Sequence, residues 1–270
     1  ATAARLLAPA APPAAVETDG PIRVLTYNLH QGFDVDGRLA PEALAEVIES
    51  ERPDVVALQE VTRGWLVTGG LDLHSWMVRR LGLAGRFAGT ADPQWGNAVL
   101  SRLPILASVY HRLPPKDLPL RRGVLDVMVE TRRGPLRLLC LHLHHHKPDG
   151  AIRVEQIEAL LGIWGGSPGT LLLGDFNAEP GSAAIQRLRR AGLHDASALL
   201  DPGRRGTTTR LHRRQIDWVF ATPDLEFEAT AVRYSKASDH LPVATTVRFT
   251  PRFTGAAPPT AAREGRTPPG

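Results

Sequence analysis

Asn28, Glu60, His142, Asp175, Asn177, Asp217 and the pair Asp239-His240 each stand at the end of an apolar run or in the loop just beyond it. Carboxylates, carboxamides and imidazoles bind hard cations, hold water and move protons, and in α/β sheets the strand ends are where such groups collect. The clearest case is Thr170-Leu171-Leu172-Leu173-Gly174-Asp175-Phe176-Asn177. Its apolar part reads as a buried strand. Period-two alternation puts Asp175 and Asn177 on one side and turns Phe176 the other way, into packing. A plain turn is the competing reading, since Asp and Asn favour turns and Glu179-Pro180-Gly181 continues the loop.

The elements that must position these residues follow from hydrophobic pattern. Strands are expected over Ile22 to Asn28, Asp54 to Glu60, Asn97 to Ser101, Gly123 to Glu130, Leu136 to His142, Ile216 to Ala221 and Val243 to Phe249, besides the one that ends at Asp175. Helical spacing marks Pro41 to Glu51, Leu71 to Leu81, Ile152 to Trp164 and Ala183 to Ala191. Strands and helices alternate in places while some strands follow one another directly, which implies a mixed sheet in a layered α/β domain. No linker-like composition divides residues 21–250, hence one domain is expected there, and no short repeat is visible. Residues 1–20 read as an Ala/Pro-rich linker and residues 251–270 as a disordered Pro/Ala/Gly-rich tail.

The chain has 270 residues, 43% of them hydrophobic, enough for a sizeable core. A formal net charge of +4 tilts it toward an anionic or phosphate-bearing partner. Its one cysteine, Cys140, lies in an apolar run and reads as a small buried hydrophobe, so no disulfide can form within the chain. No run reaches the roughly 18 apolar residues of a membrane-spanning helix. The first residue is Ala1 rather than methionine, which suggests a soluble piece released from, or attached to, a membrane protein, with an extracytoplasmic location open.

Seven segments carry a resemblance: Tyr27-Asn28, Leu58-Gln59-Glu60-Val61, Gly96-Asn97-Ala98-Val99-Leu100-Ser101-Arg102, Leu141-His142-Leu143, Gly174-Asp175-Phe176-Asn177, Ile216-Asp217-Trp218-Val219-Phe220 and Ser238-Asp239-His240-Leu241-Pro242. In this order they resemble the motifs of the endonuclease/exonuclease/phosphatase superfamily. That resemblance implies a DNase I-like four-layer α/β sandwich, two mixed β-sheets face to face with helices outside. It also implies metal-dependent cleavage of phosphate esters.

The roles it implies are specific. Glu60 and Asn28 would hold a metal, with Asp239 contributing directly or through water; hard oxygen donors suit Mg²⁺, with Mn²⁺ or Ca²⁺ as alternatives. Asp175 would orient or deprotonate the attacking water and Asn177 would hold that water or a phosphate oxygen. His240 would bind the phosphate, its tautomer fixed by Asp217. His142 occupies a position where some members carry a general acid. Asn97, Arg122 and His144 are candidate substrate contacts; the alternatives are a solvated surface arginine for Arg122, a polar loop near the mouth for His144 to His146, and a softer metal site for His142 with His144, His145 and His146.

The substrate is less determined. His30-Gln31-Gly32-Phe33, Gln59 to Trp65 and Asp92 to Asn97 are similar to a branch related to the GPI-anchor lipid-remodelling membrane protein. On that resemblance the expected substrate is a phospholipid or glycolipid head group, at a membrane surface or beside fused transmembrane segments. Trp65 and Trp95, in expected loops, would touch lipid or sugar. A DNA or RNA nuclease using Arg204, Arg205, Arg210, Arg213 and Arg214, or a soluble inositol-phosphate-type phosphatase, are the alternatives. A binding domain that has lost its chemistry is disfavoured because every motif position is filled. A monomer is expected.

Overall fold

The computed structural model describes residues 20–251 apart from 116, 147, 149, 201–207 and 210–212. In chain order its elements are β1 (Ile22–Asn28), α1 (Pro41–Glu51), β2 (Val55–Thr62), α2 (Leu73–Leu81), β3 (Ala84–Asp92), β4 (Trp95–Ser101), β5 (Ile105–Arg112) and β6 (Gly123–Val129). There follow β7 (Leu136–His142), α3 (Gly150–Trp164), β8 (Thr170–Asp175), α4 (Ala183–Arg190), β9 (His194–Asp195), β10 (Asp217–Ala221), β11 (Leu225–Val232) and β12 (Val243–Phe249). They form two six-stranded sheets, ordered β11-β12-β1-β2-β4-β3 and β5-β6-β7-β8-β10-β9. Each sheet is mixed: β1 and β2 are parallel, as are β7 and β8, and the other pairings are antiparallel.

The sheets pack face to face. Val24, Val55 and Val99 of the first meet Val127, Leu138, Leu171 and Val219 of the second in one buried cluster. Alternate residues on the same strands face outward, where Leu25, Tyr27, Val56 and Leu58 pack under Leu44, Ile48 and Met77 of α1 and α2. On the other side Leu139, Leu172 and Phe220 pack under Ile157, Leu160, Ile185 and Leu188 of α3 and α4. The result is the DNase I-like α/β sandwich. Central strands covered on both faces need apolar residues at every position, which explains their continuous hydrophobic runs.

Helix starts obey local chemistry. Pro41 opens α1, where a missing N–H costs little, while Asp72 caps α2 by accepting from Ser75 N at 2.8 Å and Ser182 caps α4. Four strands lie outside the sequence expectation: β3, β5, β9 and β11. They are the four edges of the two sheets. Trp95, expected in a loop, is instead the first residue of β4 and is buried, because β4 extends to pair with β3. Among the described residues no helix is long and apolar enough to cross a membrane. The linker expected over 1–20 and the tail over 251–270 fall, but for residues 20 and 251, outside the described residues, as do Arg204, Arg205 and Arg210.

Candidate active site

The two parallel pairs bring their carboxyl ends to one place. In the first pair Asn28 ends β1 opposite Gln59 of β2. The ladder from β2 to β4 shifts register between Leu58 and Val61, and Glu60 takes a left-handed conformation at φ 53°. This bulge aims Glu60 out of the strand, whereas simple alternation would have kept it in line. Its position is therefore inside β2, not at the strand's end. In the second pair His142 lies opposite Asp175. Gly174 is required just before it: an added Cβ would stand 1.9 Å from Leu141 O, and its φ is +145°.

Side-chain contacts join the pairs. Asn28 Nδ2 donates to Glu60 Oε1 at 3.3 Å and to Asp175 Oδ2 at 3.2 Å, while Asn28 Oδ1 accepts from His30 N. Gln31 Nε2 donates to the other Glu60 oxygen at 3.0 Å. Asp175 Oδ1 accepts the backbone N–H of Asn177 at 2.9 Å, and Asn177, at φ 48°, donates Nδ2 to Leu143 O. Phe176 turns away and packs against Phe220. The turn and the site are thus one structure, an Asx turn whose carboxylate still reaches His142 Nε2 at 3.3 Å.

Asp217 and His240 complete the constellation. Asp217 opposes Asp175 in the β8–β10 ladder, and its carboxylate oxygens lie 2.9 and 3.1 Å from His240 Nδ1. His240 Nε2 is then 3.8 Å from Asp175 Oδ2. The loop carrying His240 is pinned by Ser238 Oγ, which donates to Asn28 O at 2.8 Å.

Burial, with Asp217 nearby, pushes the Asp175 carboxyl up to about 7, against the opposing pull of His240. For His240 burial alone would favour the neutral ring, but the Asp217 and Asp175 carboxylates outweigh it and raise the group to about 10. His142 is held well below the usual histidine value, first by burial and then by Arg122. The site therefore contains an imidazolium at His240 and a neutral imidazole at His142.

Arg122 is 2% exposed, so the surface alternative for it does not hold. Its guanidinium lies 5.3 Å from the Trp95 ring centroid and its Nη2 is 3.2 Å from His145 Nδ1. Its Nε and Nη1, like Trp95 Nε1, are buried without a hydrogen-bond partner. Unpaired buried donors on a cation call for a partner, a water or an anion.

These residues surround a cleft of about 320 Å³, lined by Glu60, Asp175, Asn177, His142, His240 and Arg122 together with Gln31, Trp65, Leu120 and His145. Asn97 is fully buried instead, with Nδ2 donating to Gly123 O and Cys140 O. His144 is also buried; its backbone N–H donates to Gln156. Asp239 is half-buried, with 35% side-chain exposure and Oδ1 3.9 Å from His30 Nδ1. Among the described residues the acidic and imidazole donor atoms that converge within 4.8 Å belong to Asp175, Asp217 and His240; the run His144 to His146 forms no such group.

The donor set near Glu60 fits a hard divalent cation. Two carboxylates, Glu60 and Asp175, face a single amide between them, and Glu60 lines the cleft. Gln31 and Ser238, though both stand in segments that carry a resemblance, receive no role from the sequence, and His145 reads only as part of the run His144 to His146. Gln31 follows His30 in a loop where both take positive φ, and no local pattern announces that such a loop folds back onto Glu60.

The chain matches, over residues 25–240, the family model described as the Endonuclease/Exonuclease/phosphatase family. It is similar to the endonuclease/exonuclease/phosphatase of Beutenbergia cavernae DSM 12333, with 26% identity and a TM-score of 0.73 over 85% of this chain and 72% of that one. The human Nocturnin catalytic domain, solved with a bound sulfate anion, gives 21% identity and a TM-score of 0.68 over 87% of this chain and 97% of that one. ANGEL2, a 2',3'-cyclic phosphatase solved with adenosine-2',3'-vanadate, gives 15% identity and a TM-score of 0.69 over 85% and 96% of the two chains. At such identities the last two share the fold.

Proposed function

We propose, because this chain belongs to the endonuclease/exonuclease/phosphatase family and acts on phosphate esters, that it hydrolyses a phosphodiester in a phospholipid or glycolipid head group, using a water oriented by Asp175. The observation that carries the reaction is the hydrogen-bonded chain Asp217–His240 set beside Asp175, which keeps one imidazolium and one proton acceptor in the same cleft.

In this reading Asp175 takes the proton of the attacking water. A carboxyl raised to about 7 is a stronger base than an ordinary one and is half ionised near neutral pH. Asn177, its Nδ2 committed to Leu143 O, offers Oδ1 to the same water. His240 donates Nε2–H to a phosphate oxygen while Asp217 holds Nδ1–H, so positive charge stays in place as negative charge builds. His142, neutral, is a hydrogen-bond donor to Asp175 that fixes the carboxylate's direction; an uncharged buried imidazole is poorly suited to the general-acid role. Arg122 binds a second phosphate oxygen with its unpartnered Nε and Nη1. A Mg²⁺ ion held by Glu60 and, once its amide turns Oδ1 toward Glu60, by Asn28, with Asp239 through water, would neutralise phosphate charge and stabilise the leaving oxygen.

The lipid assignment rests on the cleft's mouth, where Trp65 and Leu120 supply apolar surface beside the phosphate-binding groups. The test is one purified sample assayed with Mg²⁺ against phosphatidylinositol vesicles, plasmid DNA and a soluble phosphomonoester. Selective release of the lipid's phosphorylated head group is the expected result. Preferential DNA cutting or preferential release of inorganic phosphate would replace this reading by a nuclease or a phosphomonoesterase.

A further inference from the structure

Between β2 and α2 the chain makes a short excursion, Gly64-Trp65-Leu66-Val67-Thr68-Gly69-Gly70-Leu71, which holds no charged residue although 22% of the protein is charged. Leu66 and Val67 at its tip are 93% and 71% exposed, the two most exposed large hydrophobic residues among those described. Trp65, immediately before them, lines the cleft, and so does Leu120 at 41% exposure. The base of the excursion is closed by an ion pair, Arg63 Nε to Asp72 Oδ2 at 3.2 Å. Charge thus sits at the base and apolar side chains at the tip.

The tip is folded rather than loose. Leu66–Thr68 forms a 3-10 turn in which Trp65 O accepts from Thr68 N, Thr68 Oγ1 and Gly70 N, Leu66 O accepts from Gly69 N, and Thr68 O accepts from Leu71 N. Gly69 and Gly70 hold positive φ, which lets the chain turn back at once. With Trp65 O, Leu66 O and Thr68 O already bonded, the segment leaves water at smaller cost than an open loop would.

We propose that this excursion seats the enzyme on a lipid–water interface, with Leu66 and Val67 among the acyl chains and Trp65 at head-group depth. The proposal rests on the lipid reading of the cleft and deepens it. A phosphodiester in that cleft must leave its acyl portion outside, and the rim it would cross is the one made by Trp65, Leu66, Val67 and Leu120. An indole with an apolar body and one N–H belongs at the boundary between head groups and hydrocarbon. A polynucleotide would instead call for cations on this excursion, and it carries none between Arg63 and Asp72.

The experiment compares the wild type with Leu66→Asp/Val67→Asp in two assays, sedimentation with vesicles of phosphatidylcholine and phosphatidylinositol, and Mg²⁺-dependent hydrolysis of a small water-soluble phosphodiester. Wild-type protein is expected to sediment with vesicles, and the double variant to bind at least about tenfold more weakly, as two buried aliphatic side chains require. Soluble turnover should match in the two proteins, which also shows that the variant is folded. Should the variant lose soluble turnover, Leu66→Trp provides the opposite test, with tighter vesicle binding expected. Equal sedimentation of wild type and variant, or none by the wild type, overturns the proposal. So does a change of oligomeric mass in the variant, which would make the tip a protein contact. Vesicle binding lost in the variant with no lipid cleaved by either protein would uphold the docking surface and reject the lipid phosphodiesterase.

Discussion

In the first sheet α1 connects the parallel neighbours β1 and β2, and in the second α3 connects the parallel neighbours β7 and β8. Each pair lies inside its sheet, flanked on both sides by antiparallel strands. No sequence repeat marks the correspondence. The ends differ in a way that separates their chemistry. The first pair finishes in Glu60, thrown outward by a bulge and held by the amides of Asn28 and Gln31. The second finishes in Asp175, 2% exposed, with an Asx turn on one oxygen and His142 on the other. Similar frames thus present one carboxylate half-open and held by amides and another buried against imidazoles, through a bulge in one strand and an Asx turn after the other.

The sharpest way to break this comparison is to neutralise each carboxylate in turn. Asp175→Asn should lower kcat by about 10³-fold or more, with no recovery at high Mg²⁺. The variant should also be more stable than the wild type at neutral and alkaline pH. The sign follows from the raised value: the folded protein holds a proton on Asp175 that the unfolded chain has released, so wild-type stability declines as pH rises from about 4 toward about 7. The stability difference should shrink again in acid. Glu60→Gln should cost about 10- to 100-fold at limiting Mg²⁺ and regain activity as the metal is raised. Identical metal titrations for the two variants would show that the strand ends do not divide the labour.

A smaller effect sharpens the second half of the comparison. His240 is raised above its unfolded value by Asp217 and Asp175, so its contribution to stability is fully present below about pH 6.5 and is lost as pH rises toward about 10. Asp217→Asn should remove much of it, about 2 kcal/mol for a hydrogen bond to a charged group. In urea denaturation the gap between wild type and variant should be widest near pH 6 and close by pH 10. A gap independent of pH would mean that Asp217 serves packing alone.

What the sequence revealed and what it hid divide along physical lines. Central strands need apolar residues on both faces, so β1, β7, β8 and β10 were legible as runs and the polar residues closing them stood out. The edges β3, β5, β9 and β11 need no such run. In β3, Ala-Gly-Arg-Phe-Ala-Gly-Thr-Ala-Asp lacks strand propensity and pairs because β4 offers a partner. Arg122 reads as a substrate contact with a solvated surface arginine as the alternative, and Trp95 and His145 pack against it; its burial is a tertiary fact with no local signature. Gln31 is similar, since only the bulge at Glu60 brings the two together.

The smallest expected effect tests whether the halves communicate through the core between them. Cys140 on β7 receives Gln59 Nε2 from β2 at 3.6 Å, and its thiol lies 3.7 Å from Leu58 O and Ala98 O of the opposite sheet. This contact joins the two parallel pairs beneath the cleft. Gln59 keeps a second partner, Thr26 Oγ1 at 3.2 Å, so removing the sulfur does not leave its amide wholly unsatisfied. Cys140→Ala should therefore cost about 1–2 kcal/mol for a small cavity and change kcat by less than about twofold. Burial pushes the thiol up to about 12, so thiol reagents should leave the folded wild type unlabelled and fully active. A variant with normal stability but a large loss of kcat would show that the pairs are coupled through this seam, and the strand ends would then have to be treated as one cooperative unit.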